Sequence, residues 1–190
     1  MSEAFFLPPD LNPRKTLAEF LAWDDGTDTR YELLDGRVFA MAPARARHAA
    51  MAARLCTAFN IRLRAPCGAF SEGGIVSSAD TFLIPDVVVS CTPAGPEDRW
   101  VRNPRVIAEI LSPSTKGIDR GAKVAEYRTI PSVGVILLVS TDEPRVEAWF
   151  RADRHWVVLD LVGLDEVIRV EEPALSIPLR EIYEGILDAE

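Results

Sequence analysis

The chain has 190 residues, 48% of them hydrophobic and 26% charged, with a formal net charge of −8. That is enough apolar matter for one full core, and no repeat or low-complexity tract interrupts it. The longest apolar runs are of strand length, which excludes a helical membrane span, and Met1–Pro9 lacks the basic region and long apolar core of a signal peptide.

Charge is unevenly spread. Residues 1–140 carry 16 basic and 16 acidic side chains, whereas the last 50 residues carry 5 and 13. The segment Gly36–Ser71 holds Arg37, Arg45, Arg47, Arg54, Arg62 and Arg64 and no acid. Two readings stand side by side: a basic surface on a globally acidic protein, or arginines scattered on a solvated helix. Cys56, Cys67 and Cys91 are odd in number and widely spaced. They make no zinc pattern, so the expectation is reduced thiols in a cytoplasmic protein.

Residues 1–15 read as an extended arm, because Pro8, Pro9 and Pro13 block regular structure. Residues 16–190 are expected to form a single domain. Thr16-Leu17-Ala18-Glu19 is a capping box that starts a short helix, which Asp24-Asp25-Gly26 stops. Strands at Arg30–Leu34 and Arg37–Met41 flank Asp35-Gly36, a strong hairpin signal. Glu32 lies inside the first strand, and alternation leaves its direction open. Arg45–Leu63 is the main helix, rich in alanine, with Leu55, Phe59 and Leu63 on its apolar face and His48 in its first turn. Pro66-Cys67-Gly68 breaks it. Short strands follow at 69–71, 75–77 and 81–83. Gly73-Gly74 is a turn and not a phosphate loop, since no Lys-Ser/Thr follows.

Pro85-Asp86 then opens onto Val87-Val88-Val89. Proline in a strand favours an edge or a bulge, and a bulge can re-aim the next side chain. Ser90–Pro104 is a polar loop whose Trp100 reads better as a plug at the domain edge than as a stacking platform for nucleic acid. Val106–Leu111 is continuously apolar except for Glu109. Asp86 and Glu109 each sit in a β-branched run, where an unpaired buried acid costs several kcal/mol. Nothing basic adjoins either of them in sequence. A shared divalent cation, held by carboxylate oxygens with water in the other positions, resolves both. Ser112-Pro113-Ser114-Thr115 caps and turns the chain into a helix from about Gly117 to Arg128. Strands are expected at Val133–Val139, Arg145–Arg151, His155–Leu161 and Val167–Val170, and a terminal helix at Leu179–Leu187.

Pro85-Asp86, Glu109, Ser112-Pro113-Ser114-Thr115, Asp119-Arg120, Lys123 and Tyr127, preceded by Tyr31–Gly36 and His48, resemble the Uma-two-type endonuclease family. That family belongs to the restriction-endonuclease-like superfamily, with its PD…(D/E)xK motif, and the resemblance covers roughly residues 16–150. It implies an α/β (α+β) fold: a restriction-endonuclease-like core with a mixed central β-sheet flanked by helices, plus extra β-hairpins. It implies Asp86 and Glu109 as catalytic metal ligands, helped by the backbone carbonyl of Ile110, with Mg²⁺ or Mn²⁺ as cofactor. It brings Glu32 to the metal site from the side and His48 to the site mouth. The superfamily lysine two residues after the glutamate is Leu111 here, and Lys123 on the next helix resembles its substitute. His48, Arg45, Arg47, Ser112 and Arg120 are the expected substrate-side residues. Relatives carry an aspartate near Ser140 that this chain lacks, which weakens any role for that strand end.

The leading functional expectation is a metal-dependent endonuclease acting on nucleic acid, with DNA the expected substrate and a homodimer expected by analogy with the superfamily. The alternatives are a non-catalytic nucleic-acid or protein-binding module that keeps the fold, and a metal hydrolase for a small phosphate ester. Leu111 and the acidic overall charge favour the binding module.

Overall fold

A computed structural model describes residues 13–111 and 119–187, with Asp119 and Arg120 as backbone only. The chain runs α1 (Leu17–Ala22), β1 (Tyr31–Leu34), β2 (Arg37–Ala40), α2 (Ala46–Asn60), β3 (Gly68–Ser71), β4 (Ile75–Ser78), β5 (Thr81–Leu83), β6 (Val87–Ser90) and β7 (Pro104–Leu111). After a π-helical turn at Asp119–Lys123 come α3 (Val124–Thr129), β8 (Val135–Ser140), β9 (Arg145–Ala152), β10 (His155–Val162), β11 (Val167–Val170), β12 (Leu175–Pro178) and α4 (Arg180–Tyr183).

Six strands form a mixed sheet in the order β10-β9-β8-β7-β6-β3, in which only β7 and β8 run parallel. Its central strand β7 is covered on both faces, which is why its sequence is continuously apolar. Val106, Ala108 and Ile110 pack toward Met51, Leu55 and Phe59 of α2 and toward Ile182 and Tyr183 of α4. Ile107 and Leu111 pack toward Val124 and Tyr127 of α3. Glu109 shares the parity of the second group, so its side chain enters the α3 layer.

A second sheet, β2-β1-β5-β4, grows from the Asp35-Gly36 hairpin. Both turn residues have positive φ, 49° and 72°, the geometry that a two-residue primed turn demands. The expected capping box is present: Thr16 accepts from the Glu19 N–H, and Glu19 accepts from the Thr16 N–H. Residues 81–90 link the two sheets, because β5 pairs in the smaller sheet and β6 in the larger. Ile84-Pro85-Asp86 is the crossing point, and the candidate site lies there. Phe82, one turn of chain before it, packs over Gly74, where an added Cβ would stand 2.3 Å from the Phe82 Cζ. Gly74→Ala is therefore expected to displace Phe82 and lower stability by about 1–3 kcal/mol, read as a fall in the midpoint of urea unfolding.

Four sequence expectations change. Of the helix placed from about Gly117 to Arg128, the described residues form a π-helical turn at Asp119–Lys123 and an α-helix at Val124–Thr129. The widened turn resets the angular position of Lys123, so that it shares a direction with Tyr127 four residues on. Strand β12 appears where the sequence reading places no element; Pro178 sits at the last rung of a two-stranded ribbon, where proline removes little. The terminal helix is limited to Arg180–Tyr183, and Gly185 follows it at φ 72°. Finally, Cys67 and Cys91 form a disulfide. The β3–β6 register pairs Gly68 with Ser90, so the next pair outward is Cys67 and Cys91, a proximity that spacing along the chain does not show. Cys56 remains a thiol on α2, with burial raising its pKa. The cysteine count therefore no longer argues for a reducing compartment. Among the described residues, no helix is long and apolar enough to cross a membrane.

Candidate active site

The β6–β7 register pairs Val87 with Ala108, and continuing it past the start of β6 brings Asp86 level with Glu109 and Pro85 level with Ile110. At the Pro85–Ile110 rung the normal ladder fails, because proline has no N–H to donate to the Ile110 carbonyl. The Ile110 N–H donates instead to Asp86 Oδ2 at 2.6 Å. A strand residue points its N–H and C=O to the same side, so the Ile110 carbonyl faces the Asp86 side of β7.

Glu109 is only 3% exposed. Its carboxylate accepts from the Tyr127 hydroxyl and lies 3.3 Å from Lys123 Nζ. Lys123, 8% exposed, also donates to Glu32 Oε1 at 2.9 Å. The same Glu32 oxygen accepts from the Ile84 N–H at 2.8 Å, which settles the direction of Glu32: inward, from β1 onto the sheet crossing. One ammonium thus joins two buried glutamates 77 positions apart in the chain, and it answers the burial cost of each. His48 Nε2 from α2 lies 3.3 Å from the same Asp86 Oδ2 that accepts from the Ile110 N–H, an ion pair when the imidazole is protonated.

Leu111, at the superfamily's lysine position, is buried in the α3 layer beside Val124 and Tyr127. The Lys123 ammonium therefore reaches Glu109 from the neighbouring layer rather than from the strand.

The substrate-side residues are less gathered. Arg45 is the exposed N-cap of α2, and Arg47 is exposed with its guanidinium donating to the Thr141 carbonyl at 3.4 Å. Arg54 donates to the Glu184 carbonyl, and Arg62 pairs with Glu181 at 2.6 Å. These arginines fasten α2 to the C-terminal segment, so they contribute less to a basic surface than their number suggests. Ser112 and the Arg120 side chain lie outside the described residues. Trp100 packs against the cluster of Phe20, Leu33, Val38 and Phe82, which is the plug role.

Two residues near the site carry no role in the sequence reading. Tyr127 belongs to the recognised motif, but its contact with Glu109 depends on the α3 orientation. Glu72, at φ 51° after β3, donates its N–H to the Asp86 carbonyl at 3.0 Å. Hydrogen bonds from Arg30 hold its carboxyl below the ordinary range, with a smaller pull from His48. A depressed folded-state pKa adds stability that is present above the unfolded value and is lost as pH falls through the folded one. Both side chains are well exposed, so the effect is small. Glu72→Gln is expected to lower the melting temperature slightly at neutral pH and to match wild type below about pH 3, as thermal scans across pH would show.

The donor set is hard: carboxylate oxygens on opposed rungs and a strand carbonyl on the same side. Among the described residues, no three His, Cys, Asp or Glu side chains gather into a metal cage. Hard oxygen donors of this kind suit a divalent cation that keeps part of its water shell.

A mixed sheet with Asp and Glu on opposed rungs, flanked by helices and hairpins, is the restriction-endonuclease-like fold. A solved structure from Anabaena variabilis, described as "a putative nuclease belonging to DUF820", shares that fold with a TM-score of 0.72 at 20% identity, covering 91% of this chain and 99% of its own. Residues 17–180 match the Uma2 family, described as "Putative restriction endonuclease", and the chain belongs to that family. Two uncharacterised proteins of Synechocystis sp. are similar over most of their length. One is 26% identical across 92% of this chain and 94% of its own, the other 28% identical across 78% and 88%.

Proposed function

We propose that the protein is a Mg²⁺- or Mn²⁺-dependent endonuclease that hydrolyses phosphodiester bonds, with DNA as its substrate. The observation that carries this reading is the Lys123 ammonium within reach of Glu109 although the strand position for that lysine is Leu111.

Asp86 and Glu109 would hold the cation, with the Ile110 carbonyl as a backbone ligand. Bound there, a divalent ion supplies Lewis-acid polarisation of the phosphate and a water acidic enough to act as a nucleophile near neutral pH. Lys123 orients the attacking water and stabilises charge on the phosphoryl oxygens. Glu32 fixes the ammonium in place, and the Tyr127 hydroxyl fixes the Glu109 carboxylate. His48 stands 3.3 Å from Asp86, where it can hold a substrate phosphate or position water. Arg45, Arg47, Ser112 and Arg120 are the groups proposed to meet the nucleic-acid backbone.

Calorimetric titration with Mn²⁺ tests the first step. Binding by the wild type and its loss in Asp86→Asn support the reading. A wild type that takes up no Mn²⁺ contradicts it and leaves a metal-free binding module.

A further inference from the structure

Six large apolar side chains are exposed among the described residues, and four of them lie on one strand: Val157, Val158, Leu159 and Val162, at 42–57% exposure. That strand, β10, is the outer edge of the six-stranded sheet. It pairs with β9 over all eight residues without a register shift, so no bulge bends it away. Alternate N–H and C=O groups of β10 therefore point outward along a straight edge about 26 Å long. Two of the usual guards are missing: neither proline nor lysine occurs within His155–Val162. Asp160, its single carboxylate, is held by Arg145 of β9 through two hydrogen bonds at 2.7 Å.

We infer that β10 is a dimerisation edge, which pairs antiparallel with β10 of a second copy of this chain to make one continuous twelve-stranded sheet. A strand that meets itself across a twofold axis is self-complementary in its backbone and keeps each side-chain row on the same face. With Val158 on the twofold axis, Val157 meets Leu159 of the second copy on one face, and Val158 meets its own copy on the other. Charge selects the same partner. The chain carries a net −8, which drives copies apart wherever acids face each other, but the β10 edge brings an acid already neutralised by Arg145. The edge offers no exposed lysine or arginine within the strand to attract a nucleic-acid backbone. Two eight-residue strands with their flanking rows bury on the order of 1,000 Å² in total, at the low end for a specific interface. The dimer is therefore concentration-dependent. This inference is independent of the nuclease reading.

Sedimentation velocity of the full chain, at about 1 and about 100 µM, reads the result directly. The expected outcome is a species of twice the 21.0 kDa chain mass at the higher concentration. Val158→Lys and Leu159→Lys, one on each face, are each expected to shift it to the monomer while circular dichroism and melting temperature stay near wild type. Hydrogen exchange at the outward amides of β10 should slow in the wild-type dimer and not in the variants. A wild type that stays monomeric at the higher concentration overturns the inference and points to another segment of the chain over the edge. A dimer that survives both lysines overturns it as well, and places the interface elsewhere.

Discussion

Lys123→Met is expected to be the most destabilising single substitution at the site, and to impair cleavage as well. Methionine keeps the length of the side chain and removes the ammonium. Glu32 and Glu109, 8% and 3% exposed, would then remain without the cation that joins them. Removing one partner of a buried ion pair typically costs about 3–5 kcal/mol, and here two acids lose the same partner. A drop of that size is visible as a lower urea midpoint with an unchanged slope. Cleavage should fall by at least about 100-fold, the scale of losing one charge-stabilising donor. Lys123→Arg, which keeps the charge but not the compact ammonium, separates the two effects: stability largely returns and cleavage does not. A surface lysine paired along its own helix would give about 0.3–0.5 kcal/mol. A Lys123→Met protein within that margin of wild type contradicts the buried arrangement.

Asp86→Asn is expected to remove metal binding and to reduce cleavage by about 1,000-fold or more, since a divalent ion contributes several kcal/mol to the transition state. Its effect on the metal-free protein is different from that of Glu109→Gln. From the sequence, clustered carboxylates without a counter-charge predict that neutralising either one leaves the metal-free protein as stable or more so. Asp86→Asn is still expected to cost the metal-free protein little, because asparagine can accept from the Ile110 N–H. The expectation reverses for Glu109, which has Lys123 and Tyr127 as partners. Glu109→Gln weakens a charged hydrogen bond and is expected to cost about 1–3 kcal/mol. Adding Mn²⁺ at about 100 times its dissociation constant should raise wild-type stability by about 2.7 kcal/mol and leave both variants unmoved. Thermal scans with and without Mn²⁺ check both halves. Equal stabilisation of Asp86→Asn and wild type would remove Asp86 from the metal site.

The sequence exposes the acids of this site because an acid inside a β-branched run is a local anomaly. Asp86 and Glu109 stand out for that reason, and the Asp35-Gly36 turn and the Thr16 capping box are equally local. What the sequence hides is set by three-dimensional register. Glu32 could face either way on a half-buried hairpin until the sheet crossing at Ile84–Asp86 gave it a backbone N–H and an ammonium to meet. Cys67 and Cys91 read as separate thiols because their proximity comes from the β3–β6 pairing. Strand β10 misleads in the opposite sense. Its run Trp-Val-Val-Leu-Asp-Leu-Val reads as buried, yet as an edge strand it leaves four apolar side chains in the open. Composition reports how apolar a strand is, and only the sheet order reports whether anything covers it.

Conversion of a supercoiled plasmid tests the central claim most directly. With Mn²⁺ or Mg²⁺ present, the wild type is predicted to yield nicked and linear DNA, chelator is predicted to stop it, and Asp86→Asn prepared identically is predicted to leave the plasmid supercoiled. A plasmid that stays supercoiled with folded, metal-loaded wild type, or one that Asp86→Asn cuts as fast as wild type does, would contradict the assignment of Asp86, Glu109 and Lys123 as a nuclease site.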